Sequence, residues 1–343
     1  MTLGEISQGR NNNLNLMRLI AAVMVIFSHS FPISYGADHS DFLNTFSKGQ
    51  MTFGNLSVCL FFFFGGFLIM SSAERSKTAK VFFHKRIQRL FPSLAAMVLI
   101  TVAVLGPIFT DLGITAYFTN PDTYKYLLNA VLIPIHSLPG VFTSNIYGTT
   151  VNGPLWTLPV EFICYVICFA MYYLHITENK SMKYSMIVFI PGYILMFYLL
   201  RNNAVLQAAL RPMGMFYAGM MFYVYRDKII MNGWIAIISA VIVIIALPLG
   251  CLDFIILYAL SYVFAYIGFA VKKNYHFLDG KPDISYQIYL CGCPMQQIIC
   301  LLNGGKMEFY ANFIETMPFA IFMGILLYKI EVRITGKSYE RVR

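Results

Sequence analysis

The sequence predicts an all-α, polytopic membrane protein with about ten transmembrane helices and with its N- and C-termini in the cytoplasm. Hydrophobic residues make up 58% of the 343 residues and charged residues only 12%, whereas about a quarter of the residues of a soluble protein are charged. The mean hydropathy is +0.65. Apolar residues also fall into runs of about 20, the length that an α-helix needs to cross a bilayer. We interpret residues 1–343 as a single integral-membrane domain.

Ten apolar runs follow one another along the chain and define the predicted spans. They cover residues 14–34, 53–73, 91–110, 155–175, 184–200, 207–225, 233–249, 251–271, 284–302 and 311–330. A short segment around Pro248, Gly250 and Asp253 separates the seventh run from the eighth. We interpret it as a tight turn. A kink there would instead remove one span and move the C-terminus to the other side.

The distribution of basic residues predicts the orientation, because cytoplasmic loops retain Lys and Arg while exported loops are depleted of them. With both termini inside, 20 of the 25 Lys and Arg residues lie on the inner side. Topology therefore explains the net charge of +9, and no nucleic-acid partner is indicated. The first apolar run is long, contains Arg18 and His29 and lacks a small-residue cleavage site, so we predict a span rather than a signal peptide.

Two further features, one long connection and the seven cysteines, could mark functional sites. The connection of about residues 111–154 is predicted on the outer side, and connections longer than about 15 residues are often functional. The seven cysteines lie in or beside apolar runs, which is typical of small buried side chains. Their spacing indicates neither a disulfide framework nor a zinc site, and no metal is predicted.

The first predicted span contains two ionisable residues, Arg18 and His29. Charge within a membrane helix is costly and usually marks a functional site. At about 100° and 1.5 Å per residue, their spacing places both side chains on one helix face, about 16 Å apart along the axis. One face of this helix is therefore predicted to carry ionisable groups at two depths.

The second span and the basic segment after it each have two interpretations. Gly65 and Gly66 follow four phenylalanines, and adjacent small residues let either a neighbouring helix or a substrate come close. Residues 75–90 are predicted as a basic amphipathic helix on the inner surface, with Phe82 and Phe83 toward lipid.

Arg86 and Arg89 lie one turn apart in this basic segment, so both guanidinium groups share a face. Arginine is well suited to phosphate because it donates paired hydrogen bonds. The alternative is a positively charged anchor that contacts only lipid headgroups, and the sequence leaves both open.

The start of the fourth span contains a candidate acid. Pro159 fits the first turn of a helix, which places Glu161 near the outer face and at a depth similar to that of His29. A carboxylate that orients an imidazole base recurs in reactions that move a hydroxyl proton, but Glu161 could equally cap its helix. In the same segment, Trp156 and Tyr165 are the candidate substrate-binding side chains.

Six motifs follow one another in a recognisable order. They are Arg18 with His29 eleven positions later, FFFFGGFL at 61–68, RIQRLFP at 86–92, LWTLPVEFICY at 155–165, DISYQIYL at 283–290 and YKIE at 328–331. In this order they resemble the signatures of acyltransferase family 3, which comprises integral-membrane O-acyltransferases of bacterial surface glycans. The resemblance covers nearly the whole chain.

The resemblance implies a ten-helix, multi-pass protein of the bacterial inner membrane, surrounded by lipid bilayer. It implies transfer of an acyl group, usually acetyl, from cytoplasmic acyl-CoA to a hydroxyl of a carbohydrate acceptor on the outer side. His29 would be the catalytic histidine and Arg18 its partner toward the donor. Arg86 and Arg89 would lie near the CoA phosphates, and Glu161 would be the acidic residue of the fourth span.

Three positions depart from the family pattern. Gly65 stands where the family often has serine, so no hydroxyl can assist there. Gly292 stands where the family often has histidine, so a second histidine is absent. The C-terminal motif, Glu-x-Pro in the family, is Glu331-Val332-Arg333 here.

Simple physics is consistent with this mechanism. A nucleotide with several phosphate charges stays on the side that holds most cationic residues, while its pantetheine arm can bring the thioester toward His29. His29 then acts as a general base or itself becomes acylated, and both routes stay open. A secondary transporter or flippase is the alternative from another class, although the two halves of the chain show no matching pair of broken helices.

Overall fold

The computed structural model describes residues 1–9, 12–200, 202–273, 275, 277–278 and 281–336. Arg10, Arg201 and residues 337–343, which contribute to the predicted charge distribution, lie outside the described residues. Within the described ranges the chain forms helices and loops, with three isolated bridges and no strand. The all-α prediction is therefore confirmed for this part of the chain.

Ten helices of the described residues overlap the ten predicted apolar runs, although several of their ends differ from the predicted bounds. They are α1 (Leu14–Tyr35), α2 (Phe53–Glu74), α3 (Ala79–Ile100), α4 (Thr157–Tyr173), α5 (Asn179–Leu199), α6 (Ala204–Val224), α7 (Gly233–Leu249), α8 (Ala259–Ala270), α9 (Ser285–Leu302) and α10 (Phe309–Thr335). Shorter helical turns lie between them.

Six segments of the described chain are long and apolar enough to cross a membrane. They are α1, α2, α3 with its extension to Phe109, α4 with the turn before it, α5 from Ser181, and α10. Helices α7 and α8 are apolar but shorter. The chain therefore has the character of a multi-pass, all-helical membrane protein.

The basic segment and the third predicted span form one continuous helix in the structure. Thr78 caps its N-terminus, and the apolar stretch extends to Phe109 through one π-helical turn. Phe82, which the sequence analysis placed toward lipid, is instead fully buried, and its ring lies 5.0 Å from that of Phe169 in α4. Phe82 faces α4 rather than lipid, because its ring and the Phe169 ring pack against each other there.

The segment between α7 and α8 is a turn rather than a kink. Gly250 ends α7 with a φ of 81°, in the left-handed region that favours glycine. Asp253, just beyond it, accepts a hydrogen bond of 2.7 Å from Arg211 Nε of α6, and Arg211 Nη2 lies 2.7 Å from the same carboxylate oxygen. Because α7 and α8 also pack against each other, they form a helical hairpin.

Helix α2 lies at the centre of the fold and packs most extensively against α6. A Cβ atom at Gly66 would lie 1.9 Å from the carbonyl oxygen of Phe216, and one at Gly219 would lie 2.0 Å from the carbonyl oxygen of Phe63. The two backbones can approach this closely only because both positions are glycine. Gly66 therefore serves helix packing. Of the two interpretations, close approach of a neighbouring helix or of a substrate, the first applies to this residue.

A buried polar cluster joins α9 to α3 and α10. The Ser93 hydroxyl donates to the Glu331 carboxylate, and the Gln287 amide donates to it at 2.6 Å. Glu331 is 1% exposed, so these two donors satisfy a carboxylate that water does not reach. Glu331 makes this contact although Arg333 replaces the proline of the family motif.

The long connection of residues 111–154 is attached to α9. Asn145 donates to the carbonyl and to the side-chain oxygen of Gln297 at 2.9 and 2.7 Å, and Asn152 donates to the Leu290 carbonyl at 2.9 Å. All three amides are buried. They hold the start of α4 against α9, where the candidate site lies.

Candidate active site

A cavity of about 700 Å³ lies between α1, α2, α3, α4 and α9. Its lining includes four cationic side chains, Arg18, Lys85, Arg86 and Arg89. Aromatic rings of Phe61, Phe62, Phe64, Tyr165, Tyr286 and Tyr289 line other parts of it. A cavity of this size that combines charge with aromatic surface has the features of a small-molecule site, and we call it the cationic cavity.

Arg18 and Arg89 meet at one carboxylate, that of Asp283. Arg18 Nη1 lies 2.6 Å and Arg89 Nη2 3.8 Å from Asp283 Oδ2, while the amide and hydroxyl of Ser285 donate to Oδ1 at 3.0 and 2.6 Å. Burial alone would raise the pKa of the Asp283 carboxyl, but Arg18, Arg89 and Ser285 together hold that pKa below its usual value. Asp283 thus keeps both arginines at one wall.

Arg86 and Lys85 occupy the part of the cavity next to α2. Arg86 Nη2 donates to the Ser72 hydroxyl at 3.3 Å, and Lys85 Nζ donates to the Ser76 hydroxyl at 3.4 Å. The structure therefore brings the predicted donor-binding residues of α1 and α3 into one cavity.

Glu161 and Tyr165 form a pair one turn apart on α4. The Tyr165 hydroxyl donates to the Glu161 carboxylate, and both side chains line the cationic cavity. Among the hydrogen bonds of the described residues, none joins Glu161 to His29. The carboxylate accepts from Tyr165 rather than from backbone N–H groups, so this geometry shows neither the predicted imidazole pair nor the capping alternative.

A second cavity of about 200 Å³ contains His29. Its lining also includes the polar side chains of His39, Asp41 and Asn55 and the indole of Trp156. We call it the histidine pocket. The predicted residues thus divide between two cavities, since Arg18, Arg86, Arg89, Glu161 and Tyr165 line one and His29 and Trp156 line the other.

The tautomer of His29 follows from its hydrogen bond. His29 Nδ1 lies 2.8 Å from the carbonyl oxygen of Val25, four residues earlier on α1. A carbonyl only accepts, so Nδ1 carries the proton and Nε2 of the neutral ring keeps its lone pair. The helix backbone therefore orients His29, a role for which Glu161 was one of two open interpretations from the sequence.

Val58, Thr157 and Tyr289 line both cavities. They come from α2, α4 and α9, and we call them the throat. No function was predicted from the sequence for these three residues or for Asp283. Tyr289 and Asp283 do lie in the DISYQIYL motif, which was the available signal, whereas Val58 is one apolar residue among many in its helix.

Comparison with known proteins places this geometry in a family. The sequence profile of acyltransferase family 3, described as an acyltransferase domain, matches residues 11–327. The chain is similar to an O-acetyl transferase of Shigella phage Sf6, with 26% identity over 337 residues, 96% of this chain and 97% of the relative. It is also similar to nodulation protein 10 of Rhizobium leguminosarum bv. viciae, with 36% identity over 172 residues, 47% of this chain and 44% of that protein.

No solved structure matches the chain. The profile match nevertheless spans nearly all of the chain, from residue 11, three positions before α1, to residue 327 within α10. It includes every residue that lines the two cavities except Gly336. The chain therefore belongs to acyltransferase family 3, and the protein is an acyltransferase.

Proposed function

We propose that the protein is a membrane O-acetyltransferase that moves an acetyl group from cytoplasmic acetyl-CoA to a hydroxyl of a glycan or glycoside on the outer side. The proposal includes ten spans, cytoplasmic termini and the inner membrane of a bacterial cell. The observation that carries it is the adjacency of two cavities with different chemistry, one cationic and one containing a histidine base, across the throat.

The cationic cavity is suited to the phosphates of acetyl-CoA. Hydrogen bonds from a guanidinium group to phosphate are charge-assisted and therefore stronger than neutral ones. Arg18, Arg86 and Arg89 supply such groups in this cavity, and Asp283 holds Arg18 and Arg89 in place before the donor arrives. The aromatic lining on the other walls can pack against the adenine ring and the pantetheine arm.

The histidine pocket is suited to the acceptor. Sugars present hydroxyl groups and apolar ring faces, and the pocket offers polar side chains together with the Trp156 indole. His29 Nε2 takes the proton of the attacking hydroxyl. A carbon–oxygen bond then forms at the acetyl carbonyl, the carbon–sulfur bond breaks, and the CoA thiolate receives a proton. In the covalent variant His29 Nε2 first attacks the thioester carbonyl, so a carbon–nitrogen bond forms as the carbon–sulfur bond breaks and the CoA thiolate takes up a proton. The acceptor hydroxyl then attacks the acetyl group, the carbon–oxygen bond forms as the carbon–nitrogen bond breaks, and the hydroxyl proton returns to the imidazole.

The names of relatives support the acetyl donor but leave the acceptor open. The phage relative is named as an O-acetyl transferase, so the same transfer is proposed here. We assign the acceptor to carbohydrates because of the pocket chemistry and not because of a relative's substrate.

The test is acetyl transfer by purified protein in lipid nanodiscs, with radiolabelled acetyl-CoA and a panel of glycosides. We expect transfer by the wild type and its loss in His29→Gln. His175→Gln is the matched control, because the His175 side chain is 79% exposed, pairs with Glu178 and lines neither cavity. A transporter or flippase would bind a glycoside without acetylating it, so glycoside binding without any transfer would contradict the proposal.

A further inference from the structure

Two hydroxyl groups and one carbonyl oxygen of the throat make three close polar contacts, but the two hydroxyls have only two protons to donate. The Tyr289 hydroxyl lies 2.8 Å and the Thr157 hydroxyl 3.1 Å from the carbonyl oxygen of Pro154, and the two hydroxyls lie 2.6 Å from each other. Each hydroxyl has one proton, and the carbonyl can only accept. Two protons therefore serve three contacts, and one contact is always unmade.

Because the contacts outnumber the protons, one of the two hydroxyls can donate to a ligand instead. If either hydroxyl turns its proton to a ligand, the other can still donate to Pro154, whose carbonyl also accepts from the backbone N–H of Thr157. No buried carbonyl is then left unpaired, so the rotation avoids the cost of an unsatisfied acceptor. The pair can therefore give one hydrogen bond to a ligand in the throat at little expense to the fold.

The throat is formed by largely buried side chains from three helices. Val58, Thr157 and Tyr289 are 9%, 4% and 7% exposed, and each belongs to a different helix, so three helices converge where the two cavities adjoin. Cavities on both sides provide room for the CoA arm and for the acceptor, but between them the three side chains limit what can fit.

We propose that the throat is the acyl-binding site. One hydroxyl of the Thr157–Tyr289 pair donates to the carbonyl oxygen of the thioester, and Val58 limits the acyl chain to two carbons. The inference rests on the proposed function. As the acceptor oxygen bonds to the carbonyl carbon, negative charge develops on the carbonyl oxygen, and a hydrogen bond placed there becomes stronger in the transition state.

The hydroxyl is tested with Tyr289→Phe, which removes one oxygen and keeps the ring. We expect kcat to fall by roughly 10²-fold, as for the loss of one oxyanion donor, while KM for acetyl-CoA changes little. Tyr117→Phe is the matched control, because the buried Tyr117 hydroxyl donates to the Val102 carbonyl at 3.0 Å and lines neither cavity. An equal loss of kcat in both variants would assign the effect to general destabilisation.

Position 157 gives an independent pair. Thr157→Ser keeps the hydroxyl, and Thr157→Val keeps the shape without it. We expect the serine variant to retain most of kcat and the valine variant to lose it. Equal activity of the two variants would contradict a role of this hydroxyl pair.

The size limit is tested with Val58→Ala and a series of acetyl-, propionyl- and butyryl-CoA. Because one methylene in a tight pocket is worth about 10–200-fold in selectivity, we expect the ratio of kcat/KM for propionyl- over acetyl-CoA to rise at least about tenfold. The ratio is measured within one preparation, so it does not depend on the fraction of folded enzyme. Val98→Ala, at a buried position that lines neither cavity, should leave the ratio unchanged.

The outcomes separate this inference from the proposed function. No transfer from any acyl-CoA by the wild type would overturn the proposed function itself. Normal wild-type transfer, with an unchanged acyl ratio in Val58→Ala and an unchanged kcat in Tyr289→Phe, would overturn the throat as the acyl-binding site and leave the acetyltransferase assignment intact.

Discussion

Arg18 and Asp283 form an ion pair across the site, with 2.6 Å between Nη1 and Oδ2. The two side chains are each 16% exposed, so the pair is largely shielded from water. It joins the N-terminal part of α1 to the segment that leads into α9, two parts of the chain that are far apart in sequence. The pair thereby holds α1 and the segment before α9 together at the wall of the cationic cavity that Arg18 lines.

The first prediction concerns the pH dependence of this pair. The folded-state pKa of Asp283 lies below its unfolded value, so its contribution to stability is complete above the unfolded pKa of about 3.9 and is lost as the pH falls through the folded pKa. At pH 7, Asp283→Asn should lower the Tm in detergent, with a cost of at most about 3–5 kcal/mol. Below the unfolded pKa the gap between variant and wild type should shrink.

The matched control for this measurement is Asp122→Asn. Asp122 pairs with Lys125 at 2.6 Å, but both side chains are more than 60% exposed, and exposed pairs contribute little. A Tm gap for Asp283→Asn that stays constant down to pH 3 would show that the charge of Asp283 is not what stabilises the fold.

The second prediction concerns the basic end of α3. Replacing Arg86 and Arg89 together by alanine removes two phosphate-binding groups, each charge-assisted bond being worth about 1.5–3 kcal/mol, so the affinity for CoA should fall by at least about tenfold. Lys77→Ala with Lys80→Ala removes the same charge from the same segment without touching the cavity. Calorimetric titration with CoA compares the two. Equal losses in both double variants would favour the lipid-anchor interpretation.

The third prediction separates the two ends of α1. His29→Ala should lower kcat by about 10²–10⁴-fold, the effect typical of losing a general base, and should leave CoA binding nearly intact because His29 lies in the other cavity. Arg18→Ala should mainly raise KM, since it removes a binding contact. Steady-state kinetics and CoA titration measure both. The division is wrong if His29→Ala loses CoA binding as severely as Arg18→Ala does.

The fourth prediction concerns Glu161. Because its carboxylate is bonded to Tyr165 and not to His29, Glu161→Gln and Tyr165→Phe should have strongly non-additive effects on kcat/KM, with a coupling energy of about 0.5–3 kcal/mol. The measurement is a double-mutant cycle, and a second cycle pairs Glu161→Gln with His29→Gln. A larger coupling in the second cycle would restore the predicted carboxylate–imidazole pair during turnover.

The fifth prediction concerns topology. A reporter fused after Arg89 should be cytoplasmic, and one inserted within residues 111–152 should be exported, because the basic residues concentrate on the side of Arg89. Alkaline phosphatase and green fluorescent protein fusions report the two sides. The opposite pattern would exchange the sides proposed for donor and acceptor.

The positions of the helices could be predicted because each apolar run is a local property of the sequence. The division of the predicted site residues between two cavities could not be predicted in this way. His29 and Glu161 were placed at similar depth, but depth says nothing about the direction in which each helix face points, and the structure turns Glu161 toward the cationic cavity. The Arg18–Asp283 pair and the Thr157–Tyr289 pair join residues that are distant in sequence, and no periodicity reveals such contacts.

The two consecutive glycines of α2 tolerate change very differently. A Cβ atom at Gly65 would meet only the Phe216 ring, at an ordinary 3.6 Å, whereas one at Gly66 would overlap the Phe216 backbone at 1.9 Å. Gly65 lines the cationic cavity, so a small side chain there would change the surface of the cavity and leave α2 and α6 in contact. A side chain at 66 would instead force these two helices apart, so the two neighbouring glycines separate a position that can alter the cavity from one that assembly of the fold requires.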